Sequence, residues 1–181
     1  MSQVFFDELY LPKPDYNLDV GSGTHAIQTG KMLAGIEEIL MREHPDLVLV
    51  YGDTNSTLAG ALATVKLQLP LAHIEAGLRS FNREMPEEIN RVITDHISTL
   101  LFAPTQTAVN NLEREGITQN VYLTGDVMYD AIKENLKIAE KKSDILNRLH
   151  LKPKEYLLAT IHRPINTDHK ENLERILSAF L

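Results

Sequence analysis

Four short apolar runs, each separated from the next by one helix-length segment, confine this 181-residue chain to a narrow set of folds. The runs are Leu47-Val48-Leu49-Val50-Tyr51, Leu71-Ala72-His73-Ile74, Leu100-Leu101-Phe102-Ala103 and Val121-Tyr122-Leu123. Nearly continuous apolar strands belong to sheets covered on their faces. A strand, a helix and a second strand joined by short connections give a parallel pair, because the crossover is right-handed almost without exception. The expected class is therefore α/β, a Rossmann-like parallel sheet with helices on both faces. All strand C-termini then share one edge, where open α/β sheets bind their ligands.

Two of those ends carry acids. Gly52-Asp53-Thr54 follows the first run, and His73-Ile74-Glu75-Ala76-Gly77-Leu78-Arg79 contains the second. Consecutive strands commonly lie side by side, so Asp53 and Glu75 are expected within reach of one ligand. A third acidic segment, Pro86-Glu87-Glu88-Ile89-Asn90-Arg91, opens the next helix, with proline suited to the first turn. The apolar periodicity predicts further helices over 24–42, 56–67 and 105–115. A short strand is expected over 17–20, ahead of Gly21-Ser22-Gly23. Beyond Gly125 the chain changes character, with a charged helical stretch over 130–147. A fresh buried strand is expected over 156–161, and a last helix over 169–181.

Composition excludes some classes. The net charge of −7 comes without a basic stripe, which argues against nucleic acid as partner. The absence of cysteine rules out disulfides and thiolate chemistry. The N-terminal residues lack a basic segment followed by an apolar one, and no apolar run is long enough to span a bilayer. These observations lead to the expectation of a cytoplasmic protein that does not engage a membrane. No H-E-x-x-H spacing or comparable cluster suggests a metal.

The ordered motifs resemble those of the non-hydrolysing UDP-N-acetylglucosamine 2-epimerases. They are Gly52-Asp53-Thr54, the run from His73 to Arg79, Pro86 to Arg91, Phe102-Ala103-Pro104-Thr105, Thr124-Gly125-Asp126 and Thr160-Ile161-His162-Arg163. The similarity extends over nearly the whole chain. It implies half of a glycosyltransferase-B-type fold of two Rossmann-like domains. Residues 1–127 would be most of the first domain, lacking its first strands, and 128–181 the truncated start of the second. It also implies interconversion of UDP-GlcNAc and UDP-ManNAc for surface polysaccharide, a homodimer, and neither NAD nor an essential metal. By motif, Asp53, Glu75, Glu87 and His162 become the catalytic candidates, and Arg91, Arg163 and Gln28 the substrate-binding ones.

Each candidate has a plainer reading. Asp53 could cap the helix that follows it. Glu75, ending an apolar strand, must find a partner, and Arg79 or Arg91 could supply a structural ion pair. Glu87 and Glu88 both suit a helix N-terminus electrostatically. His162 could be a hydrogen-bonded structural histidine, and the arginines solvated or salt-bridged. Gly21-Ser22-Gly23-Thr24-His25-Ala26 fits a dinucleotide-binding pattern, but the ribose-binding acid expected about 20 residues later falls at a helix end rather than a strand tip. Two departures from the family also stand out. Pro164-Ile165-Asn166 replaces the usual Ala-Glu-Asn, and Ile27 stands where a glutamate is common. Two functional classes follow, an epimerase core and a catalytically silent nucleotide-sugar-binding or interaction fragment. A nicotinamide-dependent dehydrogenase is a distant third.

Overall fold

A computed structural model describes residues 6–180. Its sheet has four parallel strands in the order β1-β2-β3-β4, namely Val48–Tyr51, Leu71–Ile74, Leu100–Ala103 and Val121–Leu123. Helix α1 (His25–Glu43) precedes β1, and α2 (Asn55–Lys66), α3 (Pro86–Ile97) and α4 (Gln106–Arg114) are the three crossovers. The α/β reading and all four main strands therefore stand. The helix starts follow local chemistry: Thr54 and Thr105 cap α2 and α4, and Pro86 is the first residue of α3.

Register decides what is covered. Val48 pairs with Leu71 and Val50 with His73, while His73 pairs with Leu101 and Leu101 with Val121. Paired residues of parallel strands point to the same side, so these six share one face. Val50 and Leu71 pack on Ala61 of α2, with Val65 and Ile97 against them. Leu101 packs on Leu112 of α4 and on Ala76. Strands laid down in one direction with right-handed crossovers put all three connecting helices on this face. The small residues of α2 let it approach closely, since a Cβ on Gly60 would sit 3.3 Å from Val50 Cγ1. The other face, also expected to carry helices, instead presents Leu49, Tyr51 and Tyr122, all exposed in this chain.

The chain divides into two compact units, Met1–Leu136 and Lys137–Leu181. The division falls within helix α5 (Val127–Lys142). The second unit contains the short helices α6 (Ile145–Arg148) and α7 (Pro164–Thr167), followed by α8 (Lys170–Ser178). Asn172 Nδ2 donates to the Ile165 carbonyl at 2.8 Å and ties α8 to α7.

Two strand expectations are corrected. Residues 17–20 form no strand, because Asp19 turns with φ +48° and its N–H donates to Asn17 Oδ1 at 3.0 Å, so the glycine pattern after them lacks the strand that a dinucleotide site requires. Residues 156–161 also form no strand, and Leu157 and Leu158 are largely exposed. A strand exists only through its ladder, and among the described residues this apolar run has no partner to pair with.

Candidate functional site

The site is assembled at the C-terminal edge of the sheet. Gly52 leaves β1 with φ +64°, and its N–H donates to the Ile74 carbonyl at 3.1 Å, locking the β1 turn onto β2. Asp53 follows. It does not cap α2, because Thr54 does: Thr54 Oγ1 accepts from the Thr57 N–H at 3.4 Å, and Thr57 Oγ1 accepts from the Thr54 N–H at 3.2 Å. The Asp53 carboxylate instead pairs with Arg91 of α3. Asn90 Nδ2 donates to the Asp53 carbonyl at 2.9 Å, so α3 grips this turn twice.

Glu75 is the first residue beyond β2 and adopts φ +72°, a left-handed conformation that strains any residue with a side chain. Its Oε2 lies 3.6 Å from where a Cβ on Gly52 would be, placing the carboxylate over the β1 turn. Neither arginine expected to neutralise it does so by contact. Arg79 donates to Asp95 and Glu115, and Arg91 pairs with Asp53 and Glu88. Among the described residues Glu75 makes no ion pair or hydrogen bond. Burial pushes its carboxyl above the usual glutamate range, and the charges of Asp53 and Asp126 push the same way. His73 and Arg91 oppose that shift without cancelling it.

Asp126 was legible only as part of a motif, with no role attached. It accepts from the Met128 N–H at 2.8 Å at the start of α5, while its charge reaches Glu75. The edge thus gathers acids from the ends of β1 and β2 and from the turn after β4. They do not form a cation cage, and no group of three potential metal-ligating side chains occurs among the described residues.

The paired glutamates of α3 separate by role. Glu88 is buried and accepts from the N–H and hydroxyl of Ser80 and the N–H of Phe81, each at 2.9 Å. Burial raises its carboxyl, but these three donors and Arg91 outweigh that and hold it below the usual range. Glu87 is exposed. Arg91 is oriented between Asp53 and Glu88, and its Nε is buried without a hydrogen-bond partner.

Gln28 joins this edge through a chain of side chains. Its Oε1 accepts from Asn55 Nδ2 at 3.0 Å, its Nε2 donates to the Gly21 carbonyl at 3.2 Å, and Asn55 Oδ1 accepts from Asn90 at 3.4 Å. Ile27 beside it is exposed. His162 and Arg163 belong to the second unit and are exposed, in a segment without helix or strand rather than at a strand tip. The Arg163 carbonyl accepts the N–H groups of Asn166 and Thr167 at 2.8 and 3.0 Å, opening α7.

Residues 1–181, the whole chain, match the protein family described as UDP-N-acetylglucosamine 2-epimerase. The chain belongs to this family. A UDP-N-acetylglucosamine 2-epimerase homolog of Methanococcus maripaludis is 62% identical over all of this chain and 51% of its own length. A UDP-2,3-diacetamido-2,3-dideoxy-D-glucuronate 2-epimerase of Pseudomonas aeruginosa is 50% identical over 99% of this chain and 50% of its own. The crystal structure of the Methanocaldococcus jannaschii UDP-GlcNAc 2-epimerase, in complex with UDP-GlcNAc and UDP, superposes with a TM-score of 0.90. It is 55% identical and covers 99% of this chain and 50% of that one. The chain therefore spans about half the length of the relatives it matches, in keeping with half of a two-domain architecture.

Proposed function

We propose that this chain carries the acid-bearing half of a site that epimerises C2 of a UDP-2-acetamido sugar, UDP-GlcNAc to UDP-ManNAc being the reaction its relatives favour. The observation that supports it most is the pairing of two carboxylates in unlike surroundings, Asp53 held by Arg91 and Glu75 desolvated beside it. Groups whose environments differ in this way can divide acid, base and electrostatic work.

The C2 proton of a glycosidic sugar is not adjacent to a carbonyl, so simple deprotonation is very unfavourable. Elimination avoids the problem. The C1–O bond breaks with its electron pair leaving on UDP, the C2–H bond supplies the electrons of a new C1=C2 bond, and a carboxylate takes the proton. The reverse step protonates C2 from the other face while a UDP oxygen rebonds to C1. Glu75, with its carboxyl shifted toward neutrality, suits the proton transfer, since such groups work best when their pKa approaches the ambient pH. Asp53, ion-paired and fixed, suits stabilisation of the positive charge that grows on the ring. Glu87, exposed at the start of α3, is the third acidic candidate, and Arg91 and Gln28 would contact the nucleotide sugar. His162 and Arg163 keep only the roles that the family resemblance gives them. Family resemblance further supports a cytoplasmic homodimer, and no helix among the described residues is long and apolar enough to cross a membrane.

Incubation with UDP-GlcNAc in D2O, followed by proton NMR, tests this reading. A polypeptide of the relatives' length carrying these residues is expected to place deuterium at C2 in both epimers. If that polypeptide exchanges and this chain alone binds UDP-GlcNAc without exchange, the chain is a nucleotide-sugar-binding half. No exchange by either rejects the epimerase reading.

A further inference from the structure

His73 is the one histidine within a described strand, and it is fully buried beside Leu71 and Leu101. An apolar residue would fill that volume without desolvating a polar ring. What the ring does instead is bridge two turns. Its Nε2 stands 2.8 Å from the Gly52 carbonyl, one residue before Asp53. Its Nδ1 stands 2.7 Å from Asp95 Oδ1, on α3. The second oxygen of Asp95 accepts the Gly77 N–H at 3.0 Å, two residues after Glu75, and Arg79 Nη1 at 2.6 Å. Gly77 is pinned from its other side as well, by Asn111 Nδ2 on its carbonyl at 3.0 Å.

The connection therefore runs from the Asp53 turn through Gly52, His73, Asp95 and Gly77 to the Glu75 turn, wholly inside the core. The two ring nitrogens face two acceptors, the Asp95 carboxylate and the Gly52 carbonyl. Leaving a buried polar group without its partner is costly, whereas replacing both partners with apolar groups of the same shape can be nearly neutral. A core that needed only volume would not require this arrangement.

We propose that His73 is a positioning residue, which with Asp95 acts as a buried tie-bar holding the Asp53 and Glu75 turns at a fixed separation. The inference rests on the reading of these two acids as the reacting groups, but its physical content can be tested without turnover. Amide hydrogen exchange of the full chain, read by NMR, is the experiment. In His73→Leu the Gly52 and Gly77 amides should exchange about tenfold faster or more, while Leu101 and Glu115 amides keep their protection, because local opening is separable from global unfolding. Asp95→Asn, nearly isosteric, should do the same at Gly77. Unchanged protection at both glycines, or an equal rise at every amide, would reduce His73 to packing and overturn the proposal. The wild-type chain gives a check that does not depend on a variant folding: its Gly52 and Gly77 amides should be well protected from exchange, and exchange there as fast as in an open loop would break the tie. In an active polypeptide of the relatives' length, His73→Leu should lower kcat at least tenfold with KM little changed. Absence of turnover in the wild type would count against the epimerase reading, while the exchange data would still decide the tie-bar.

Discussion

Gly77 shows how little freedom the backbone near the acids has. With φ +80°, a Cβ there would stand 2.3 Å from the Ala108 carbonyl oxygen and 2.8 Å from its carbon, both backbone atoms. Gly77→Ala should therefore destabilise the chain by about 2–4 kcal/mol, measurable by urea denaturation, since neither the φ nor the clash can be relieved locally. Glu75 makes the complementary prediction. Its carboxyl is raised, so its contribution to stability is complete below the unfolded value of 4.5 and is lost as pH rises through the folded value. Glu75→Gln should therefore be at least as stable as wild type at pH 7, by about 0.5 kcal/mol or less given its partial exposure, and the gap should close in acid. Sequence alone located Asp53 and Glu75 because each closes an apolar run. It could not show that Arg91 takes Asp53 while Glu75 goes without an ion pair, since that choice depends on how α3 sits over the β1 turn. His73 and Asp95 were illegible as a pair for the same reason: 22 positions separate them, and only the crossover brings them together.

At the scale of elements, α3 carries most of the organisation. One of its glutamates faces solvent and the other fastens residues 80–81, so neighbours in sequence with the same chemistry do different work. Glu88 is held below the usual glutamate range despite its burial, and its stabilisation is present above the unfolded value of 4.5 and fades as pH falls through the lower folded value. Glu88→Gln should cost about 2 kcal/mol at neutral pH, with the difference from wild type narrowing below pH 4.5 in a denaturation series. The start of α2 is simpler. Thr54→Ala removes the cap of the helix that follows Asp53 and should lower stability by about 1 kcal/mol, in the same assay. The start of α3 was readable from Pro86, whereas the cap of α2 was expected at Asp53 and falls one residue later, at Thr54. The outcome over 156–161 was not readable, because an apolar run records the need for burial but says nothing of which chain will supply the ladder.

For the molecule as a whole, the four consecutive strands explain both the site and the bare surface. Each crossover turns the same way, so the helices stack on one side and the acids collect along one edge, while Leu49, Tyr51 and Tyr122 face outward on the other. The family assignment and the half-length coverage agree with that picture. On the proposed reading Glu75 performs chemistry at C2 rather than holding the fold. The most direct test compares deuterium entry at C2 of UDP-GlcNAc, by NMR in D2O, for an active polypeptide of the relatives' length and its Glu75→Gln variant. Exchange should fall by about a hundredfold or more, as for removal of a general acid or base, with nucleotide-sugar binding and thermal stability retained. Exchange at the wild-type rate in the variant would contradict that reading.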